Sequence, residues 1–333
     1  MHPVSTCLVA LLLSLALIAP ARADFVYALS YNNGRVIRYQ TADPSGTVTE
    51  LLAGGLLNAA GLALGSDGNL YLGESGDGGT VPPSIRRLNL ATNALTTVHT
   101  FGSFDVFPDV FPGALVFRGT DLLVGRNPFF GNTGPIVSVA NATGGTITIG
   151  EFTTGGSLAS SPGLAFGPDG SLYVSDQTYD FATSTASGPV KRFNAAGIFV
   201  EEVIASGASN LAGPTGLAII GNSLFTASIM NGQVLRTDLL DDTTANFGSV
   251  IGLFQTSPLA PLSDGGLVVG SAGGAGAIYR LDATGQLVGT FNSGLGTIGG
   301  LVVAPVPEPA SVVTAAAGLA AVAAWLRRRR GRA

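Results

Sequence analysis

GLALGSDGNLYLGE, residues 61–74, and GLAFGPDGSLYVSD, residues 163–176, are two copies of one unit, matching in glycines, apolar positions and length. Each reads as a short apolar strand, a turn and a second apolar strand. Asp67-Gly68 and Asp169-Gly170 are the turn dipeptides, and they predict two-residue hairpins with positive φ angles. Weaker copies are GALVFRGTDLLVGR (113–126), GLAIIGNSLFTAS (216–228) and PLAPLSDGGLVVGS (258–271). Two more strands follow the later hairpins: PVKRFN and IFVEEVI, then QVLRTD and FGSVIGLF, then AIYRLD and QLVGTF. The unit is four antiparallel strands, repeated every 40 to 53 residues or so, with no helical period.

That pattern predicts an all-β chain folded as a six-bladed β-propeller. A parallel β-helix is the rival, but its repeats would be shorter. The first repeat supplies only three strands, FVYALS (25–30), RVIRYQ (35–40) and TVTELL (47–52). The missing innermost strand is GGLVVA (299–304). Pairing the two chain ends in one blade closes the ring and removes free sheet edges.

The flanks read differently. Residues 7–19 are an apolar run, followed by Pro20-Ala21-Arg22-Ala23, the small-x-small pattern of a signal peptide cleaved after Ala23. Cys7, the single cysteine, falls inside it, so the mature chain is expected to form no disulfide. Residues 24–306 hold ten Lys and Arg against twenty Asp and Glu, a net charge of −10, which the tail arginines hide in the whole-chain value of −5. An acidic body argues against nucleic acid as a partner.

Residues 306–333, VPEPASVVTAAAGLAAVAAWLRRRRGRA, place Pro307-Glu308-Pro309 before an uncharged apolar run (310–326) and four arginines, Arg327, Arg328, Arg329 and Arg330. The run meets the lower length limit for a transmembrane helix, and the arginines after it are a stop-transfer signal. This order resembles the PEP-CTERM sorting signal of Gram-negative bacteria. The resemblance implies that an exosortase-type membrane protease reads Pro307, Glu308 and Pro309. It also implies delivery to the cell surface or the medium, often in strains that make exopolysaccharide. The expected organisation is therefore a signal peptide (1–23), the propeller (24–305) and the sorting signal (306–333), membrane-anchored until processed.

The blade unit resembles NHL-repeat and regucalcin/gluconolactonase-like propellers. The latter implies a divalent cation held by Glu, Asn and Asp near the starts of innermost strands. At the matching places this chain has Ala60, Pro162 and Thr215. No metal and no cofactor is therefore expected, and no catalytic residue is assigned. His99 is the one histidine of the body, and no Gly-x-Ser-x-Gly elbow or phosphate-binding glycine loop occurs.

Superposing the units aligns Ser30, Glu74, Arg126, Asp176, Ser228 and Ser271 at the end of each second strand. Glu74, Arg126 and Asp176 are candidates for a ligand site on the channel rim, or for an arginine neutralising two acids. Phe104, Phe107, Phe111, Phe129 and Phe130, beside Asp105 and Asp109, are candidates for an aromatic patch or for a plug of the channel mouth. These features predict a non-catalytic surface or matrix binding module, with exopolysaccharide or another surface protein as partner. A metal-dependent lactonase and a purely structural envelope protein are the alternatives.

Overall fold

The computed structural model describes residues 24–41, 47–102, 110–127, 133–250, 257–271 and 276–305. The predicted signal peptide, sorting signal and C-terminal transmembrane helix lie outside them. Among the described residues no helix is long and apolar enough to cross a membrane.

Six four-stranded antiparallel sheets follow one another. Blade 1 orders Ile298–Pro305, Asp24–Ser30, Val36–Gln40 and Thr49–Leu52 from the axis outwards, so the two chain ends close the ring as the repeat count predicts. Blade 2 runs Ala59–Leu64, Leu70–Glu74, Ser84–Leu88, Leu95–Thr100, and blade 3 runs Pro112–Arg118, Asp121–Arg126, Val137–Ala140, Thr148–Glu151. Blade 4 is Gly163–Phe166, Leu172–Ser175, Val190–Phe193, Phe199–Ile204, with an extra hairpin, Thr178–Asp180 and Thr185–Ser187, inserted after its second strand. Blade 5 is Pro214–Ile220, Ser223–Ser228, Gln233–Asp238, Thr244–Ser249. Blade 6 is Leu259–Pro261, Leu267–Gly270, Ala277–Leu281, Leu287–Asn292. The outer strand of blade 5 starts earlier than the predicted Phe247. Asp242 adopts a φ of 57° and its N–H bonds Asp238 at 2.9 Å, so the turn ends sooner.

The core is six clusters, one between each pair of neighbouring blades. Second strands are buried on both faces, and the two-residue period of a strand sorts their side chains. In blade 1, Val26 and Ala28 pack towards blade 6, while Tyr27 and Leu29 pack towards blade 2. In blade 2, Leu70 and Leu72 face back to blade 1 and Tyr71 faces blade 3. In blade 4, Leu172 and Val174 meet blade 3 and Tyr173 meets blade 5. This explains why LYLGE and LYVSD read as continuous apolar runs.

At the axis the blades meet backbone to backbone. A Cβ on Gly299 would collide with the Ala59 carbonyl, one on Gly61 with Gly113, one on Gly125 with Ser161, one on Gly163 with Thr215 and one on Gly216 with Ser257. At the sixth joint Gly270 sits against the Ile298 side chain. Hydrogen bonds cross each joint: Ala59 N–H to Tyr31 O (2.8 Å), Ser161 N–H to Arg126 O (2.9 Å), Gly216 N–H to Ser257 O (3.1 Å) and Ile298 N–H to Ser271 O (3.2 Å). Ser75 Oγ donates to Pro112 O (2.9 Å) and Ser175 Oγ to Thr215 O (2.7 Å).

The Asp-Gly turns are wider than two residues. Gly65 N–H bonds Asn69 O and Gly68 N–H bonds Gly65 O, both at 2.9 Å, and only Gly68 (φ 74°) is left-handed. Asp67 keeps an ordinary conformation because its carboxylate accepts the Asn69 N–H at 3.2 Å. Residues 167–171 and 262–266 repeat the geometry. Each turn aspartate is tied to a third-strand arginine. Tyr71 donates to Asp67 at 2.9 Å and contacts Arg87, its cross-strand partner. Tyr173 and Arg192 repeat this beside Asp169, and in blade 6 Arg280 pairs directly with Asp264 at 2.6 Å.

These carboxyls titrate below their ordinary value of 3.8. For Asp67 burial pulls upward but is overcome by hydrogen bonds from Asn69 and Tyr71. The Ser171 N–H dominates at Asp169. At Asp264 burial is overcome by the Gly266 N–H and Arg280. A depressed folded pKa gives stability that is complete above the unfolded value and is lost as pH falls through the folded one. Melting temperature measured from about pH 6 down to about pH 2 should fall less steeply in the D67N/D169N/D264N variant than in the parent; parallel curves would refute the assignment.

Gly163→Ala should cost about 2–3 kcal/mol by overpacking a backbone joint. Gly68→Ala, where a Cβ meets open space, should cost only about 1 kcal/mol for its positive φ. Urea midpoints at unchanged m value measure both.

Candidate functional site

Four of the six residues that end the second strands share one task. Glu74 Oε1 accepts the Leu57 N–H (3.1 Å), Asp176 Oδ1 the Ala159 N–H (2.7 Å) and Ser228 Oγ the Ala212 N–H (2.9 Å). Ser30 Oγ donates to Leu295 O at 2.8 Å. In each case the partner lies in the loop that feeds the innermost strand of the same blade, so the side chain fixes where that strand starts.

Each acid takes its cation from its own blade. Arg86 Nη1 lies 3.1 Å from Glu74 Oε2, which Ser84 also bonds at 2.9 Å. Lys191 Nζ lies 2.6 Å from Asp176 Oδ2 and also donates to Ser157 O at 2.7 Å. Arg86 and Lys191 occupy one position in the repeat, opposite Leu72 and Val174. In two of the three blades whose second strand ends in serine that position is apolar, Leu235 opposite Thr226 in blade 5 and Ile37 opposite Ala28 in blade 1, and in blade 6 it is Tyr279 opposite Val269.

Arg126 donates from Nε to Pro135 O at 3.1 Å within blade 3, and its N–H bonds Ser161 Oγ at 2.6 Å. Glu74, Arg126 and Asp176 are 3%, 5% and 6% exposed, which puts all three out of a ligand's reach. Among the described residues no hydrogen bond or ion pair joins any two of them, and no group of three or more His, Cys, Asp or Glu comes together. The structure thus places the three candidates on one face of the disc without bringing them together.

One residue further on, strand alternation turns the side chain to the hub. Tyr31 of blade 1 hydrogen-bonds Asn127 of blade 3, and burial pushes its phenol pKa up. Asn127 Nδ2 donates to Ser75 Oγ of blade 2 at 3.1 Å, and Gln177 Nε2 of blade 4 donates to Pro214 O of blade 5 at 3.2 Å. Asn127 is the polar side chain in the wall of an axial cavity of about 70 Å³ lined by the six innermost strands. Ala60 and Pro162 also line it, and Thr215 Oγ1 bonds Ser257 O at 3.4 Å. Sequence reasoning missed this ring by one residue. The alternation of LYLGE-Ser75 and LYVSD-Gln177 contained the signal.

Of the predicted aromatic patch, Phe111 is half-buried beside the innermost strand of blade 3, and Phe104, Phe107, Phe129 and Phe130 lie outside the described residues. Phe101 is wholly buried in the core between blades 2 and 3. His99, on an outer strand, meets the Phe101 ring edge-on at 4.8 Å.

Among the described residues the blade 4 hairpin is the one departure from the repeat, and its sequence, with no apolar alternation, gave no sign of it. Ala186 anchors it in the core between blades 5 and 6. At its tip Asp180 accepts the Ala182 N–H and the Thr183 hydroxyl, both at 2.8 Å, and holds up Phe181, 62% exposed, against Tyr179.

No protein-family model matches the chain, and no curated protein matches it. Solved structures do. A chain from a nidogen/laminin complex superposes with a TM-score of 0.64 at 14% identity, covering 85% of this chain and 98% of that one. A protein of unknown function from Bacteroides caccae superposes at 0.57 with 16% identity, covering 86% and 100%. At these identities the likeness is one of fold: the chain is a six-bladed β-propeller.

Lys191→Leu should destabilise the protein by about 3–5 kcal/mol, since it leaves Asp176 buried and unpaired. Asp176→Ser/Lys191→Leu copies the blade 5 arrangement and should recover more than half of that loss. Denaturant titration of the three proteins decides. A double variant no better than the single one would show that the pair is not self-contained.

Proposed function

We propose that this is an exported bacterial surface or extracellular-matrix protein whose propeller is a non-catalytic binding module. In this reading a signal peptide cleaved after Ala23 sends it across the inner membrane, and an exosortase-type protease processes it at Pro307-Glu308-Pro309. The order of that tripeptide, the apolar run and the four arginines is the observation that carries the localisation. The binding reading draws on the face where the second strands end. Its buried acids are used up inside their own blades, and among the described residues it offers outwards an aromatic-tipped hairpin. The similar propeller of the nidogen/laminin complex supports a protein partner, and exopolysaccharide is the other partner class.

Removing residues 307–333 should send the body into the medium, and Glu308→Ala should leave an uncleaved form in the membrane fraction. Fractionation and intact mass of both variants test this. Retention of the truncated body after a high-salt wash, or unchanged processing of Glu308→Ala, would sink the sorting reading.

A further inference from the structure

The joint that closes the ring contains an unfinished polar cluster. Asp24 opens the second strand of blade 1 and is 2% exposed. Its Oδ2 accepts the N–H and the hydroxyl of Ser263 in blade 6, at 3.0 and 2.9 Å. Its Oδ1 is buried and has no hydrogen-bond partner. A buried carboxylate oxygen left unpaired keeps its full desolvation cost. The Asp24 backbone nitrogen, three bonds from its own carboxyl carbon, gives its one proton to Thr41 Oγ1 at 3.0 Å. That nitrogen belongs to the Ala23–Asp24 peptide bond, where signal cleavage is expected.

We infer that cleavage after Ala23 completes this joint. Hydrolysis by a signal peptidase adds the hydroxyl of water to the Ala23 carbonyl carbon and a proton to the Asp24 nitrogen. Below its pKa the freed amine takes a further proton from solvent. The resulting ammonium keeps its bond to Thr41 Oγ1 and turns a second proton to Oδ1, as a charge-assisted bond. The processed chain then holds a neutral, bonded corner where the unprocessed chain holds an orphan anion, so removal of the leader locks blade 1 to blade 6. Among the described residues the other charged groups at this corner are Arg280 and Asp264, paired with each other at 2.6 Å. Arg280 also approaches Thr41 O at 3.5 Å. Tyr39 stacks on Phe291 beside them, 4.3 Å between centroids. The inference rests on the cleavage position proposed above.

Two forms of the chain through Ala333, in detergent, test it. One starts at Asp24; the other carries Gly-Ser-Gly-Ser ahead of it, which moves the ammonium away and returns the Asp24 nitrogen to a peptide. At about pH 6 the form starting at Asp24 should melt about 3 °C or more higher. An α-amino group ordinarily titrates near ~7.7–8.0, and a carboxylate partner raises that value. The advantage is therefore complete below it and lost as pH rises through the folded value, so the two forms should coincide by about pH 10.5. Asp24→Asn should close the gap at every pH. Equal melting at low pH, or a gap that survives high pH or Asp24→Asn, overturns the inference. N-terminal sequencing of the exported protein checks cleavage on its own, and a start other than Asp24 overturns the processing step whatever the melting data show.

Discussion

Everything in this fold depends on the blades approaching the axis so closely that, at five of the six joints, a carbonyl oxygen of one sits where a Cβ on a glycine of the next would be. Glycine is the only residue that allows this. Gly61, Gly163 and Gly216 open the innermost strands, and Gly299 does the same at the ring closure. The contact fixes the spacing of the blades, and the spacing fixes how much apolar side chain the joints further out must supply. Near the axis glycine and leucine suffice. Further out, Tyr71, Phe193 and Phe225 fill the widening wedge between sheets. The cost of such an axis is that it leaves a cavity of only about 70 Å³, with Asn127 the polar side chain in its wall.

The buried acids that end second strands are handled blade by blade. A buried acid is tolerated at the end of a second strand only where the third strand of the same blade supplies a base, as in Glu74 with Arg86 and Asp176 with Lys191. Each such pair answers a local need, which is to hold the loop feeding the innermost strand. The turn aspartates do the same on the other face, through Tyr71 with Arg87 and through Arg280. Glu74 and Asp176, two of the residues that look most functional in the sequence, are thus engaged in holding their own blades.

Much of this was legible beforehand. Six copies of a four-strand unit, and a first copy short of one strand, specify a ring closed by its own ends. The reason is that an unpaired innermost edge would leave buried backbone groups unsatisfied. The turn residues were legible as well, though not the width of the turn, because Asp67 prefers to cap Asn69 rather than adopt a left-handed conformation.

The candidate site was legible only in part. Repeat alignment identified the equivalent positions Glu74, Arg126 and Asp176 but not their partners, since Arg86 and Lys191 join them only through strand register. It also pointed to the wrong neighbour of the channel, because a strand reverses face with every residue and the last one before a turn can fall on either side. The blade 4 hairpin, held by a single buried alanine and its own turn bonds, left no periodic trace. Sequence alone determined the blade count, the closure and the apolar second strands, since burial on both faces and a fixed repeat are written in residue order. Only the tertiary structure decided which acid meets which base and which side chains reach the axis, because those depend on distances across strands and blades that residue order does not encode.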